Sequence, residues 1–165
     1  MPLRRDVCVC EISKEQSLIP SVVRGNGITG MSNRQIRLGI NGFGRIGRLI
    51  LRAISKGKYS DLKVVSVNST GDPMTNAHLL KYDSTYGVFD ASIETSNEFL
   101  IVNGSKIACF TNEEPSHIPW GDHDVDIVFE CTGKFTSKEK ARGHLESSPR
   151  KVIISAPAKN EDITI

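Results

Sequence analysis

No stretch of this chain approaches the roughly 20 consecutive apolar residues that a membrane-spanning helix requires, so no membrane association is expected. Neither sign of charge dominates. Lysine and arginine total 21 against 19 acidic residues, which supplies no strong positive field of the kind that drives nucleic-acid binding. Cysteine is scarce and scattered. Cys8, Cys10, Cys109 and Cys131 form no C-x-x-C pair, which excludes the common zinc and dense disulfide patterns and fits reduced thiols. The N-terminal segment lacks the continuous apolar core of a secretory signal, because Asp6, Glu11 and Lys14 interrupt Val7, Val9 and Ile12. These absences leave one soluble, cytoplasmic globular domain of 165 residues, 38% of them hydrophobic, as the expectation.

Residues 1–33 show no helical or strand periodicity and carry Gly25, Asn26, Gly27 and Gly30, so they are expected to be a poorly ordered extension. Met31 stands just before the pattern changes and is a candidate translation start. From residue 34 to 165 the spacing predicts a folded α/β domain. Gln35 to Ile40 reads as a strand. Ile46, Leu49, Ile50, Ala53 and Ile54 recur at helical spacing until Gly57, and Leu62 to Val67 reads as a second, largely buried strand. A crossover of this length fits a parallel βαβ unit. A short helix is expected around Asn76 to Leu80. Hairpin pieces follow at Val88 to Glu94, Phe99 to Val102 and Lys106 to Phe110, with Asn103-Gly104 as the turn. Buried strands resume at Val125 to Glu130 and Lys151 to Ser155, separated by a charged helical segment from Ser137 to Leu145. The fold class expected is a Rossmann-like, doubly wound parallel sheet with a small antiparallel insertion.

Gly42-Phe43-Gly44-Arg45-Ile46-Gly47 is a G-x-G-x-x-G run lying directly after a strand and opening a helix. Gly42 permits the tight turn, Gly44 lets a pyrophosphate approach the backbone, and Gly47 allows close packing of helix on sheet. The helix N-terminus then offers unpaired N–H groups and partial positive charge to phosphate. An acidic residue at the end of the second strand would bond the adenosine ribose hydroxyls and repel a 2′-phosphate. That place reads Val67-Asn68-Ser69-Thr70, so NAD and NADP both remain open as the cofactor. At the ends of the later strands, Glu130-Cys131-Thr132-Gly133 and Ser155-Ala156-Pro157 put small and polar residues on the edge where open α/β sheets bind ligands.

The run from Leu38 to Arg48 resembles the opening of the phosphorylating glyceraldehyde-3-phosphate dehydrogenases. Further matches follow in the order of that family: His78 to Gly87, Pro119-Trp120-Gly121-Asp122, Glu130 to Phe135, and Val152 to Ala158. The resemblance implies a dinucleotide-binding domain with Asn41, Gly42, Phe43, Gly44, Arg45, Ile46 and Gly47 around the pyrophosphate. It also implies Asn68 and Ser69 at the ribose, Phe135 near the adenine, and Thr132, Gly133 and Ser155 toward the nicotinamide. Complete members are homotetramers that convert glyceraldehyde 3-phosphate to 1,3-bisphosphoglycerate with a thiolate nucleophile and a histidine. The segment bearing that cysteine and histidine is expected to lie beyond Ile165, so no catalytic residue is assigned and this chain alone is expected to be inactive. Two positions depart from the family pattern. Ser69 stands where NAD-preferring members carry Asp, and Glu113 stands where an Arg would face the cofactor, so that a carboxylate there would repel pyrophosphate. The homologous half of erythrose-4-phosphate dehydrogenase, a non-catalytic nucleotide-binding protein and a functionless remnant are the alternatives.

Other groups have plainer readings. Cys131 lies near the crevice without an evident base, and Cys109 reads as a packed thiol. Asp122-His123-Asp124-Val125-Asp126 reads as a solvated loop rather than a metal site. His78, His117 and His144 show no partner constellation, which leaves packing or surface roles.

Overall fold

The computed structural model describes residues 10–13 and 34–164. The polypeptide passes through β1 (Cys10–Ser13), β2 (Ile36–Asn41), α1 (Arg45–Ser55), β3 (Leu62–Asn68), α2 (Pro73–Lys81), β4 (Tyr82–Asp83), β5 (Gly87–Val88), β6 (Ile93–Thr95), β7 (Phe99–Val102) and β8 (Ser105–Phe110). Two 3-10 turns, Pro115–His117 and Trp120–His123, lead into β9 (Ile127–Glu130). Then come α3 (Lys138–Ala141), a 3-10 turn at Arg142–Glu146, β10 (Lys151–Ile154) and β11 (Ile163–Thr164).

Among the described residues the main sheet runs β11-β1-β10-β9-β2-β3-β8-β7-β6. Strands β10, β9, β2, β3 and β8 are parallel neighbours, while β7 and β6 add antiparallel strands beyond β8. The chain therefore winds outward in one direction from β2 through β3 to β8, then returns to β2's other side with β9 and β10. The crevice of such a sheet opens at this reversal, between β2 and β9, beyond their C-terminal ends. The mixed α/β architecture is the doubly wound class expected, and the short β4-β5 pair forms a separate antiparallel sheet.

The parallel strands are covered on both faces, so their apolar residues do not alternate cleanly with polar ones. One cluster joins Leu38, Ile40, Leu51, Val64, Val67, Leu80 and Leu100. The other gathers Val65, Trp120, Val125, Val128, Leu145, Val152 and Ile154. Gly39 is required between them, because a Cβ there would lie 2.7 Å from the Trp120 ring.

Several boundaries differ from the sequence-based expectation for identifiable reasons. Helix α2 begins at Pro73, three residues earlier than the pattern indicated, because Asp72 accepts from the Thr75 N–H at 2.8 Å and Pro73 suits the first turn. The expected strand from Val88 to Glu94 is divided, since Phe89 turns into the core and its N–H donates to Lys81 O. The helical segment after Ser137 is a single α-turn followed by a 3-10 turn. The Asn103-Gly104 turn does form, with φ of 48° and 77°. Within the extension expected to be poorly ordered, Cys10–Ser13 instead forms β1, antiparallel to β10 and β11. The other residues of 1–33, Met31 among them, lie outside the described residues.

Arg52 fastens α1 to the insertion. Its guanidinium is buried and donates to Leu80 O at 2.6 and 3.0 Å and to Gly87 O at 3.1 and 3.2 Å, with Phe89 beneath it at 5.2 Å. The Leu80 carbonyl belongs to the last turn of α2, where a cation also meets the negative end of the helix dipole. Arg52→Ala orphans these carbonyls and is expected to cost about 2 kcal/mol in a urea melt. Arg52→Lys recovers little of this, because a point ammonium does not span the carbonyls as the planar fork does. Equal stability of Arg52→Lys and the parent would contradict this assignment.

Candidate cofactor site

The glycine turn joining β2 to α1 is held by backbone contacts that admit no side chain. Gly42 has φ of +91°, and its N–H donates to Asn68 O at 2.8 Å. A Cβ at Gly42 would lie 2.7 Å from the Cys131 carbonyl carbon and from the Thr132 nitrogen. At Gly47, inside α1, a Cβ would lie 2.2 Å from Gly42 O. Gly44 differs: it is exposed, and nothing lies within 4 Å of the Cβ it lacks. It is the N-cap of α1 and supplies no side-chain cap, and the first turn contains no acidic residue. The N–H groups there are consequently available to an anion. The cradle fits a dinucleotide pyrophosphate.

Beneath this turn a continuous belt of hydrogen bonds crosses the C-terminal ends of four parallel strands. Asn41, Asn68 and Glu130 close β2, β3 and β9 in matching register, and their relative exposures are 2%, 5% and 1%. Glu130 Oε1 accepts from Thr132 N at 2.7 Å and from Thr132 Oγ1 at 2.5 Å. Glu130 Oε2 accepts from Asn41 Nδ2 at 2.6 Å and pairs with His144 Nε2 at 2.9 Å. Asn68 Nδ2 donates to Asn41 Oδ1 at 2.8 Å, and its own Oδ1 accepts from the Asn112 N–H at 2.9 Å beyond β8. Trp120 Nε1 donates to His144 Nδ1 at 3.1 Å. An indole N–H can only donate, so Nδ1 is the accepting nitrogen and Nε2 carries the proton toward Glu130.

The expected site residues are thus divided by the fold. Gly42, Gly44, Arg45, Ile46 and Gly47 lie on the turn and first helical turn, with Ile46 exposed and the Arg45 guanidinium reaching Thr85 Oγ1 at 3.3 Å. Thr132 and Gly133 form the opposite lip. Ser155 sits beside Glu130, whose carbonyl accepts its N–H at 3.0 Å. Phe135 lies half-buried against the core, edge-on to His144 at 6.3 Å. The Phe43 ring, by contrast, is buried in the core, and the side chains of Asn41 and Asn68 are enclosed in the belt rather than presented to the crevice.

At the end of β3, the Ser69 hydroxyl accepts from Asn76 Nδ2 at 2.9 Å and from the Gly71 N–H at 3.1 Å. Asp72 is engaged in capping α2, and the Thr75 backbone bond holds its carboxyl below the ordinary range. Glu113 is exposed on the loop after β8. Burial pushes the Cys131 thiol up to about 11, against a lowering bond from Ser155 and with the nearby Glu130 raising it further. At neutral pH it is therefore a protonated, inert thiol. Burial likewise raises Cys109. Among the described residues no group of three or more His, Cys, Asp or Glu is placed to hold a metal, and no helix is long and apolar enough to cross a membrane.

The sequence profile of the glyceraldehyde 3-phosphate dehydrogenase NAD binding domain matches residues 36–138. The chain belongs to this family. It is 52% identical over 130 residues to a glyceraldehyde-3-phosphate dehydrogenase of Geobacillus stearothermophilus, covering 79% of this chain and 38% of that protein. It is 50% identical over 129 residues to the enzyme of the same name from Thermotoga maritima, covering 78% of this chain and 39% of the relative. The corresponding protein of Pseudomonas aeruginosa is 50% identical over 131 residues, with 79% and 39% covered. The chain thus spans about two fifths of the length of these curated relatives.

Among the features of this NAD-binding domain that the sequence does not disclose is the pairing of His144. The sequence leaves His144 a packing or surface role with no visible partner; it is wholly buried, the packing alternative, and is in addition paired with Glu130 and Trp120. The available signal was that β9 ends an apolar run on a carboxylate, Ile127-Val128-Phe129-Glu130, and a buried carboxylate demands donors.

Proposed function

We propose that this chain holds NAD or NADP across the crevice between β2 and β9 and serves as the cofactor-binding part of an enzyme that oxidatively phosphorylates glyceraldehyde 3-phosphate to 1,3-bisphosphoglycerate. The observation that carries the reading is the uncapped N-terminus of α1 behind a glycine turn whose open side is at Gly44. Gly42, Gly44, Arg45, Ile46 and Gly47 hold the pyrophosphate. Ser69 lies at the adenosine ribose, Thr132, Gly133 and Phe135 line the opposite wall, and Ser155 faces the nicotinamide half. Asn41, Phe43 and Asn68 support the site from beneath. When bound, the cofactor supplies a hydride acceptor. The complete enzyme is cytoplasmic and homotetrameric in this reading, and it draws its nucleophilic thiolate and its histidine from outside the 165 residues. Cys131 does not replace that thiolate, because a thiol held at about 11 is overwhelmingly protonated where aldehyde oxidation would be assayed.

Calorimetric titration of the purified chain with NAD and NADP tests the binding. Both cofactors are expected to bind, while the same protein mixed with glyceraldehyde 3-phosphate, phosphate and NAD produces no NADH. Absence of heat with either cofactor sinks the binding assignment. A rate abolished by Cys131→Ser would show that the chain is an enzyme by itself.

A further inference from the structure

We propose that Glu130, oriented by His144 and Trp120, is the positioning residue of the crevice: it fixes the Cys131–Gly133 lip against the glycine turn and thereby sets cofactor affinity without touching the cofactor. The inference rests on the dinucleotide reading given above. Removing a carboxylate from water is costly unless every acceptor site finds a donor, and apolar residues of similar volume would stabilise a core as well or better. What this carboxylate adds is geometry. Two of its bonds go to Thr132 on one lip, and a third goes to Asn41, which immediately precedes Gly42 on the other. The lips are already in contact, since no atom fits between Gly42 and the Cys131–Thr132 peptide. Displacing one lip therefore displaces the other. The fourth bond comes from His144, and its direction is imposed by Trp120, whose N–H excludes the alternative tautomer. The belt continues through Asn41 and Asn68 to Asn112, so the same carboxylate is linked to the loop that carries Glu113.

His144→Gln and His144→Leu separate positioning from simple packing. Glutamine can donate to Glu130 and accept from Trp120, whereas leucine can do neither. In the 165-residue chain, His144→Leu is expected to weaken NAD about tenfold and to speed exchange of the Thr132 amide about tenfold. His144→Gln should remain within about twofold of the parent in both. The indole N–H resonance of Trp120, the chain's single tryptophan, should shift in the leucine variant and stay near its parental position with glutamine. A purely structural histidine would lower the urea midpoint yet leave both the NAD dissociation constant and Thr132 exchange of the folded protein unchanged, and that result overturns the proposal. So does a glutamine variant as impaired as leucine. If His144→Leu does not fold, Trp120→Phe removes the orienting N–H while keeping a ring, and unchanged Thr132 exchange there is equally contrary. Should the parent itself bind no NAD, the cofactor reading fails, while Thr132 exchange in the same variants still decides the positioning role.

Discussion

Gly47→Ala is expected to lower the melting temperature by about 10 °C, a loss of roughly 3 to 5 kcal/mol, whereas Gly44→Ala is expected to shift it by no more than about 2 °C. The difference follows from what each added methyl would meet. At Gly47 it falls 2.2 Å from Gly42 O, which is backbone and is fixed by the bond from Gly42 N–H to Asn68 O, so the turn or the helix must move. At Gly44 it projects into open space, and the backbone φ of −73° is one alanine adopts readily. The order reverses for the ligand. Gly44→Ala places a methyl over the face where the pyrophosphate approaches α1, and NAD should bind at least about tenfold more weakly to a protein that is otherwise intact. Thermal melts and titrations of the two variants check both halves. A stable Gly47→Ala would contradict the turn geometry, and a Gly44→Ala with parental affinity would remove the phosphate from α1.

Ser69→Asp is expected to swing selectivity toward NAD by roughly a hundredfold relative to NADP. The loop after β3 is already built to hold an oxygen at this position, since Gly71 N–H and Asn76 Nδ2 both donate to the Ser69 hydroxyl. In the variant these donors would hold one carboxylate oxygen and leave the other for the ribose hydroxyls. A 2′-phosphate about 4 Å from that carboxylate would meet repulsion on the order of a few kcal/mol at an effective dielectric constant near 20. The parent lacks this charge, because Asp72 is committed to Thr75 at the start of α2. It is therefore proposed to accept both cofactors with comparable affinity. A strong NAD preference in the parent that Ser69→Asp leaves unchanged would mean that another group reads the ribose.

The parts of the molecule legible in the sequence are those whose determinants are local. The path from β2 through the glycine turn to α1 and β3 was readable because Gly42 takes a positive φ at the turn, Gly47 clears Gly42 O within the first turn of α1, and apolar residues recur along both flanking strands. Asn103-Gly104 likewise announced the β7-β8 hairpin. What stayed hidden depends on contacts between distant segments. Phe89 interrupts an expected strand because the insertion packs on Arg52, and Cys10–Ser13 pairs with β10 although nothing in its own composition marks a strand. The belt has the same origin. Asn41, Asn68 and Glu130 each look like the polar end of a strand, and only the parallel register brings them into one hydrogen-bonded row. His144 joins them from the turn before β10, where sequence spacing shows no partner.

Amide resonances recorded during addition of NAD to the isotopically labelled chain test the central claim most directly. Binding across the β2–β9 reversal predicts that the largest shifts fall on Gly44, Arg45, Ile46, Thr132 and Gly133. It also predicts little change at the opposite edge of the sheet, where Gln35, Lys63, Asn103 and Ser105 line a separate hollow. Shifts concentrated in that hollow, or none at the N-terminus of α1, would contradict the account.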